Sequence, residues 1–251
     1  MVIKKTRCLK IMTYNIHYGI GRDRKYRLDR VIDVIKNEKP DVVALQEVDK
    51  GMSRSNLDDQ PYIIADSLNM NFHYCVNLSI GDGEFGLATF SRFPICGNLR
   101  YDLSFSPRLK LRFRPRGILR TDIELGADCL HMFNLHLGLG LRERIYQRRK
   151  LLSESILLDQ RLAHPVAIAG DFNDRPISVV HSKLKGHFRD AFELSGDKNS
   201  STFYWGPVKL KLDHIYVSGR LRPVETYVAN TRLSRIASDH MPVTSRVELR
   251  A

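Results

Sequence analysis

The sequence predicts a mixed α/β protein in which two sheets pack face to face and helices cover their outer surfaces. Apolar runs of strand length outnumber amphipathic helical segments, and the order strand–helix–strand occurs in both halves of the chain. No linker rich in Gly, Ser or Pro, no repeat and no low-complexity tract divides the 251 residues. Sheets and helices of this kind must bury their apolar faces against another layer. We therefore expect one domain over residues 1–251.

Residues 10–135 predict six strands and two helices. Leu28, Val31, Ile32 and Ile35 recur at helical spacing, and Pro40 ends that segment. A second amphipathic helix is predicted over 58–68. Short apolar runs predict strands over 10–16, 41–45, 72–76, 87–90, 118–125 and 130–135.

The second half repeats this alternation of helix and strand. From Leu141 the period changes, and Leu141, Ile145, Leu152 and Ile156 are predicted to form one buried helical face. A further short helix is predicted over 178–184. Strands are predicted over 165–169, 212–217, 224–228 and 243–249.

Composition narrows the class of protein. The formal net charge of +12 predicts attraction to anions such as nucleic acid, anionic lipid head groups or phosphorylated small molecules. The four cysteines have no paired short spacing, which argues against a zinc ribbon or a redox pair and predicts reduced, buried thiols. We see neither a signal peptide nor a stretch long enough to span a membrane, so the expected location is the cytoplasm.

Acidic, amide and histidine residues stand at or just beyond the ends of the predicted strands. Rigid strand ends can hold such side chains at fixed separations. Carboxylates and amides suit a hard cation such as Mg²⁺ or Mn²⁺ better than zinc. Histidines beside acidic residues supply proton-transfer groups near neutral pH. The set comprises Asn15, Glu47, Asn134, His136, Asp171, Asn173, Asp213, Asp239 and His240.

Six short motifs built around these residues resemble the endonuclease/exonuclease/phosphatase superfamily. They occur in the family's order and cover almost the whole chain. They are Thr13-Tyr14-Asn15-Ile16-His17, Leu45-Gln46-Glu47-Val48, Asn134-Leu135-His136-Leu137, Gly170-Asp171-Phe172-Asn173, Leu212-Asp213-His214-Ile215 and Ser238-Asp239-His240. The resemblance implies a small single-domain bacterial member with a DNase I-like, four-layer α/β/β/α sandwich. Its two mixed sheets would meet at one catalytic cleft.

The resemblance also implies a metal site. Glu47 would be the main ligand of Mg²⁺ or Mn²⁺, Asn15 would lie close by, and Asp239 would assist. A dication offsets the repulsion between an anionic phosphate ester and its nucleophile.

The same resemblance assigns catalytic roles. Asp171 would orient or deprotonate the attacking water, Asn173 would hold phosphoryl oxygens, and His136 would donate to the phosphate. His240 would stabilise developing charge while Asp213 orients it. Asp213 should also favour the cationic imidazole. Whether Asp171 or His240 takes the proton of the water stays open.

Two features bear on the substrate. Arg108, Lys110, Arg112, Arg114 and Arg116 alternate with uncharged residues, which in a strand would place every cation on one face. That pattern predicts a ribbon that grips a polyanion, or else an edge strand protected by charge against aggregation. Tyr204 and Trp205 could stack on bases, or could pack in a loop or core.

The leading interpretation is a metal-dependent phosphodiesterase acting on nucleic acid, with no obligate protein partner. A lipid phosphodiesterase at an anionic membrane surface, or an inositol-phosphate phosphatase, is the alternative. A non-catalytic nucleic-acid- or membrane-binding protein is the alternative from another class. Carboxylates facing a phosphate argue against this last interpretation.

Overall fold

A computed structural model describes residues 7–105, 114–195 and 200–250. The first sheet contains six strands in the order β13-β14-β1-β2-β4-β3. Their bounds are Arg7–Asn15 (β1), Val42–Lys50 (β2), Asn71–Ile80 (β3), Gly83–Ser91 (β4), Leu221–Val228 (β13) and Val243–Leu249 (β14). Within this sheet β1 and β2 are parallel, whereas β14 pairs with β1 in antiparallel register.

The second sheet has six strands in the order β5-β6-β7-β8-β12-β9. Their bounds are Ile95–Asp102 (β5), Gly117–Leu125 (β6), Asp128–His136 (β7), Val166–Asp171 (β8), Arg189–Asp190 (β9) and Asp213–Val217 (β12). Here β7 and β8 are the parallel pair. A separate two-stranded hairpin is formed by Phe203–Trp205 (β10) and Val208–Leu210 (β11).

The helices lie outside the two sheets. The α-helices are Leu28–Glu38 (α1), Gln60–Leu68 (α2), Leu141–Leu151 (α3), Val179–Lys185 (α4), Ala191–Ser195 (α5) and Ser234–Ala237 (α6), with 3₁₀ turns at His17–Gly19 and Ser53–Ser55. Local caps define two of the starts, because Asp59 accepts from the Tyr62 amide and Ser178 from the His181 amide. No helix in these residues is long and apolar enough to cross a bilayer.

Three buried hydrophobic clusters hold the four layers together. Between the sheets, Ile11 and Ala44 of the first sheet join a cluster that includes Met132 and Ala169 of the second. A second cluster packs α1 and α2 on the outer face of the first sheet, and a third packs α3 and α4 on the second. The predicted α/β/β/α sandwich of two mixed sheets flanked by helices is confirmed.

The predicted apolar face of α3 is wrong. Leu141 is 58% exposed, whereas the helix buries Glu143, Gln147 and Leu151. Gln147 accepts from the Gly138 amide at 2.8 Å and donates to the Leu103 carbonyl at 3.3 Å. Loop backbone groups that need partners therefore determine which face of this helix turns inward.

Strand β5 and the β10–β11 hairpin have no counterpart among the predicted elements. Most side chains of β5 are exposed or half-buried, as expected for the last strand of its sheet, so the sequence has no apolar run there. The hairpin strands are three residues each and are exposed or half-buried. Strand β5 is too polar, and the hairpin strands are too short, for hydrophobic periodicity to reveal them.

Buried amides tie the two sheets together beneath one edge. Asn134 of β7 donates through Nδ2 to the carbonyls of Leu45 and Ala88 in the first sheet, both at 3.0 Å. Its Oδ1 accepts from Gln46 Nε2 at 2.8 Å. Asn134 therefore holds the sheets in register directly below the ends of the two parallel strand pairs.

Candidate active site

The carboxyl ends of both parallel pairs meet at the same edge of the sandwich. Asn15 ends β1 and Glu47 lies on β2, while His136 and Asp171 end β7 and β8. The register opposes His136 to Asp171, so the last residues of these two strands are neighbours. Parallel strands thereby bring side chains that are distant in sequence to one cleft.

Asp171 is the centre of the contacts in this cleft. Its Oδ2 accepts from Asn15 Nδ2 at 3.0 Å and lies 3.5 Å from His136 Nε2 and 3.6 Å from His240 Nε2. Its Oδ1 accepts from the Asn173 amide at 2.8 Å. Burial raises the pKa of Asp171 to about 7, against the opposing effect of His240. This carboxyl group is therefore balanced between its two protonation states near neutral pH.

His240 and Asp213 form a buried pair beside Asp171. His240 Nδ1 lies 2.8 Å from Asp213 Oδ2, and both residues are buried. Burial lowers the pKa of His240, but the carboxylates of Asp213 and Asp171 outweigh it and raise the pKa to about 10. The imidazole is therefore cationic at neutral pH, with Nε2–H directed toward Asp171.

His136 has the opposite electrostatic character. Burial lowers its pKa well below the ordinary value, and Arg116, His240 and Arg114 lower it further. Its Nε2 lies 3.9 Å from Glu47 Oε1. A neutral imidazole next to a cationic one gives the cleft two histidines in different protonation states.

Glu47 occupies a β-bulge in β2, where the pairing with β4 shifts between Gln46 and Val48. Its φ of 58° is a left-handed conformation that non-glycine residues seldom adopt. The bulge directs the carboxylate toward His136 instead of along the strand face. Glu47 Oε2 is buried and has no hydrogen-bond partner among the described residues.

Asn173 and its preceding residues form a tight turn after β8. Asn173 has φ 48° and donates through Nδ2 to the Leu137 carbonyl at 2.9 Å. Gly170 has φ 156°, and a Cβ there would lie 2.0 Å from the Leu135 carbonyl oxygen. Only glycine allows β8 to approach β7 this closely, which places Asp171 beside His136.

Asp239 lies at the cleft margin. The Ser238 hydroxyl contacts Asp239 Oδ1 at 3.3 Å and donates to the Asn15 carbonyl at 2.8 Å. Asp239 is half-buried. Ser238 thus holds Asp239 next to the end of β1.

The oxygen donors of Glu47, Asn15 and Asp239 fit a hard dication. The unpartnered buried Oε2 of Glu47 is an acceptor that needs a cation or a proton donor. Asn15 Oδ1 accepts from the His17 amide at 3.1 Å and keeps a second lone pair. Asp171, Asp213 and His240 also bring ligand atoms within 4.8 Å of one another, but Asp213 already pairs with the cationic His240.

Arg116 belongs to the cleft, whereas the sequence indicates only that its segment is positively charged. It is 5% exposed, and its Nε and Nη1 are buried without a hydrogen-bond partner among the described residues. Burial lowers its pKa, while Glu47, Asp171 and Glu143 favour its charged form. Two buried guanidinium nitrogens without a partner among the described residues, near the carboxylates of Glu47 and Asp171, are suited to binding an anion.

Of the predicted cationic ribbon, Arg108, Lys110 and Arg112 lie outside the described residues. Arg114 is described, and its Nη1 donates to the Tyr18 hydroxyl at 3.3 Å. Burial and Glu47 raise the pKa of Tyr18. Arg114 and Tyr18 therefore extend the cleft on the side of Glu47, and Tyr18 is a further residue absent from the predicted site.

The two predicted aromatic residues, Tyr204 and Trp205, lie in different surroundings. Tyr204 lines a pocket beside Asp239 and Ser238, together with Arg22, Lys209 and Arg235. The hairpin that carries it is fixed by the Tyr204 amide, which donates to the Asp239 carbonyl at 3.1 Å. Trp205 is 75% exposed and does not line this pocket.

Comparison with known proteins identifies the family. Residues 12–240 match the model of the Endonuclease/Exonuclease/phosphatase family. The chain is 29% identical to the uncharacterized protein YbhP of Escherichia coli K12, with 96% of each chain covered. It is 27% identical to an inositol phosphosphingolipids phospholipase C of Schizosaccharomyces pombe, covering 74% of this chain and 46% of that protein.

Solved structures agree on the fold. The endonuclease/exonuclease/phosphatase of Beutenbergia cavernae superposes with a TM-score of 0.81 at 22% identity, covering 98% of this chain and 72% of that one. The chain therefore belongs to the endonuclease/exonuclease/phosphatase family and is a hydrolase of phosphate esters.

Proposed function

We propose that the chain is a Mg²⁺- or Mn²⁺-dependent phosphodiesterase whose substrate is nucleic acid. The observation that carries the reaction class is the contact of Asp171 with Asn15, His136 and His240 in one buried cleft. In-line attack of water on a phosphodiester needs a group that accepts the proton of the water and cationic donors for the phosphoryl oxygens. It also needs side chains that hold the anionic phosphate in position. Each of these requirements has a candidate in this cleft.

The protonation states favour Asp171 as the proton acceptor. A cationic His240 has no lone pair on Nε2 and cannot accept the proton of the water. It can stabilise negative charge on the phosphoryl group, while Asp213 holds its orientation through Nδ1. Asp171, with a pKa of about 7, is ionised in an appreciable fraction at neutral pH and can accept that proton.

Other side chains would bind the phosphoryl group. The neutral His136 can donate one N–H, and Arg116 can supply the unpaired guanidinium donors. Asn173 would contribute its amide group on the same side as Asp171. Glu47, with Asn15 and Asp239, would hold the dication, which supplies Lewis-acid polarisation of a phosphoryl oxygen when bound.

The pocket beside Asp239 favours nucleic acid as the substrate. Arg22, Lys209 and Arg235 make no ion pair with any described residue, and Tyr204 adds an aromatic surface among them. A polynucleotide presents further phosphates and bases next to the scissile bond, and these would contact the cations and the ring. The net charge of +12 would attract such a polyanion.

Lipid phosphodiesters are the second candidate substrate. The relative from Schizosaccharomyces pombe is a phospholipase C by name, but the chain spans less than half of that protein. A lipid substrate would still use the same phosphate-binding groups. Its head group would then occupy the Tyr204 pocket.

A panel of substrates tests both parts of the proposal, the phosphodiesterase reaction and the choice of nucleic acid as substrate. Purified protein is incubated with Mg²⁺ or Mn²⁺ and plasmid DNA, RNA, sphingomyelin, glycerophospholipids or inositol phosphates, with EDTA as control. We expect metal-dependent nicking of plasmid or cleavage of RNA, lost in Asp171→Asn and kept in Asp66→Asn, an exposed aspartate on α2. Head-group release without nucleic-acid cleavage would transfer the substrate assignment to lipids. No hydrolysis of any phosphate ester would reject the phosphodiesterase itself.

The pocket cations have their own test, which is the salt dependence of DNA affinity. Each phosphate contact contributes about 0.9 to the slope of log affinity against log salt. We expect Lys209→Ala or Arg22→Ala to reduce that slope by about one contact, or roughly 0.9. Arg149→Ala, an exposed cation on α3, is the matched control and should leave the slope unchanged.

A further inference from the structure

A second cluster of metal-ligating side chains lies on the outer face of the second sheet. Asp122 of β6 and His131 of β7 are directly paired across the two strands. Cys129 is two residues before His131 and therefore projects from the same face of β7. One ligand atom from each of Asp122, Cys129 and His131 lies within 4.8 Å of the others.

Cys96 brings a second thiol next to this cluster. It lies at a bulge in β5, where the pairing with β6 shifts between Ile95 and Gly97. Its Sγ donates to the Asp122 carbonyl at 3.3 Å. The pairings of β6 with β5 and with β7 place Cys96 and Cys129 opposite the same segment of β6, although 33 positions separate them in sequence.

His131 is held in place by hydrogen bonds and keeps one nitrogen free. Its Nδ1 lies 2.6 Å from Asp122 Oδ1, and Arg120 forms a two-point ion pair with the same carboxylate. His131 is 5% exposed, yet its Nε2 is buried with no hydrogen-bond partner among the described residues. A carboxylate that fixes one imidazole nitrogen while the other remains unpaired is the arrangement seen around histidines that bind zinc.

We propose that Cys96, Cys129 and His131, with Asp122, form a binding site for a thiolate-preferring dication of the Zn²⁺ class. Thiolate and imidazole ligands select such metals, whereas the oxygen donors around Glu47 suit Mg²⁺ or Mn²⁺. The charges also balance, since two thiolates and the Asp122 carboxylate offset the dication and Arg120. The bound metal would join the edge strand β5 to β6 and β7.

Cobalt substitution gives a readout that the catalytic cleft cannot produce. Thiolate ligation of Co²⁺ gives a charge-transfer band in the near-ultraviolet, and none of the cleft residues described above is a cysteine. We expect one equivalent of Co²⁺ to develop this band and Zn²⁺ to abolish it. The band should weaken strongly in Cys96→Ser and Cys129→Ser. Cys8→Ser, another exposed cysteine, is the matched control and should keep it.

Affinity and thermal stability complete the test. Asp122→Asn should weaken Zn²⁺ binding by about 10–100-fold, the usual effect of losing a carboxylate that orients a ligand. Zn²⁺ should raise the melting temperature of the wild-type protein and of Cys8→Ser, but not of Cys129→Ser. Absence of the charge-transfer band in a folded protein with both thiols reduced would overturn the proposal. A band that persists in Cys129→Ser would do the same.

Discussion

Replacing Asp213 by Asn should move the alkaline limit of activity to lower pH. In the proposed mechanism His240 acts in its cationic form, so activity should be present below its pKa and should be lost as pH rises through it. Asp213 Oδ2 lies 2.8 Å from His240 Nδ1, and Asp213 is the carboxylate with the largest part in raising this pKa to about 10. Asparagine keeps the size of the side chain and removes its charge.

The size of the effect follows from the loss of one buried charge. A unit charge about 4 Å from the centre of the imidazolium contributes about 4 kcal/mol at an effective dielectric constant of 20. At about 1.4 kcal/mol per pKa unit, this would lower the pKa of His240 from about 10 to about 7. Only about a tenth of the variant would then be protonated at pH 8, so kcat/KM should fall about tenfold there.

The assay is a pH profile of kcat/KM with a soluble phosphodiester in the presence of Mg²⁺. We expect the alkaline limb of Asp213→Asn to begin near neutral pH, while the wild-type limb begins near pH 10. Titration of the imidazole of His240 by NMR gives the pKa directly and does not depend on turnover. Asp66→Asn controls for a change in net charge.

Two results would refute this reasoning. An alkaline limb that stays near pH 10 in a folded Asp213→Asn protein would mean that Asp213 does not set the charge of His240. A loss of activity that is equal at every pH would mean that Asp213 acts only by orienting the ring.

Three further variants test other parts of the structure. Glu47→Gln should abolish metal-dependent turnover without loss of far-ultraviolet circular dichroism; near-normal activity would exclude Glu47 as the main ligand. Arg116→Met should raise KM and also raise the melting temperature, because the buried charge costs desolvation free energy and two of its nitrogens have no hydrogen-bond partner among the described residues; a lower melting temperature would indicate a structural role. Asn134→Ala should destabilise the fold by about 3 kcal/mol in urea unfolding, since two buried carbonyls lose their donor; an unchanged midpoint would show that the sheets do not depend on this side chain.

The fold and the location of the cleft could be predicted because each depends on local pattern. Apolar runs gave the central strands, and polar residues directly after them marked the edge where parallel strands end. The Glu47 bulge and the close approach at Gly170 could not be predicted, because both depend on the register between strands. They determine where the two carboxylates point.

Arg116 and the cysteines show where pattern alone is insufficient. In the sequence, Arg114 and Arg116 belong to the same alternating run, and no local feature predicts a different burial for either. In the structure, however, Arg116 is buried and Arg114 is exposed. The prediction of buried thiols is wrong for Cys8 and Cys96, which are exposed, and Cys129 is half-buried. Cys96 and Cys129 meet only because β5, β6 and β7 form a meander, so their spacing in sequence carried no signal.

The strand order of the first sheet has a consequence for folding. Strand β14 lies between β13 and β1, so β1 acquires its second neighbour only by pairing with a strand from the other end of the described residues. His240 lies just before β14, and the same pairing brings its imidazole to Asp171. Contacts between segments this distant in sequence form slowly, so completion of the cleft is expected to be a late event in folding.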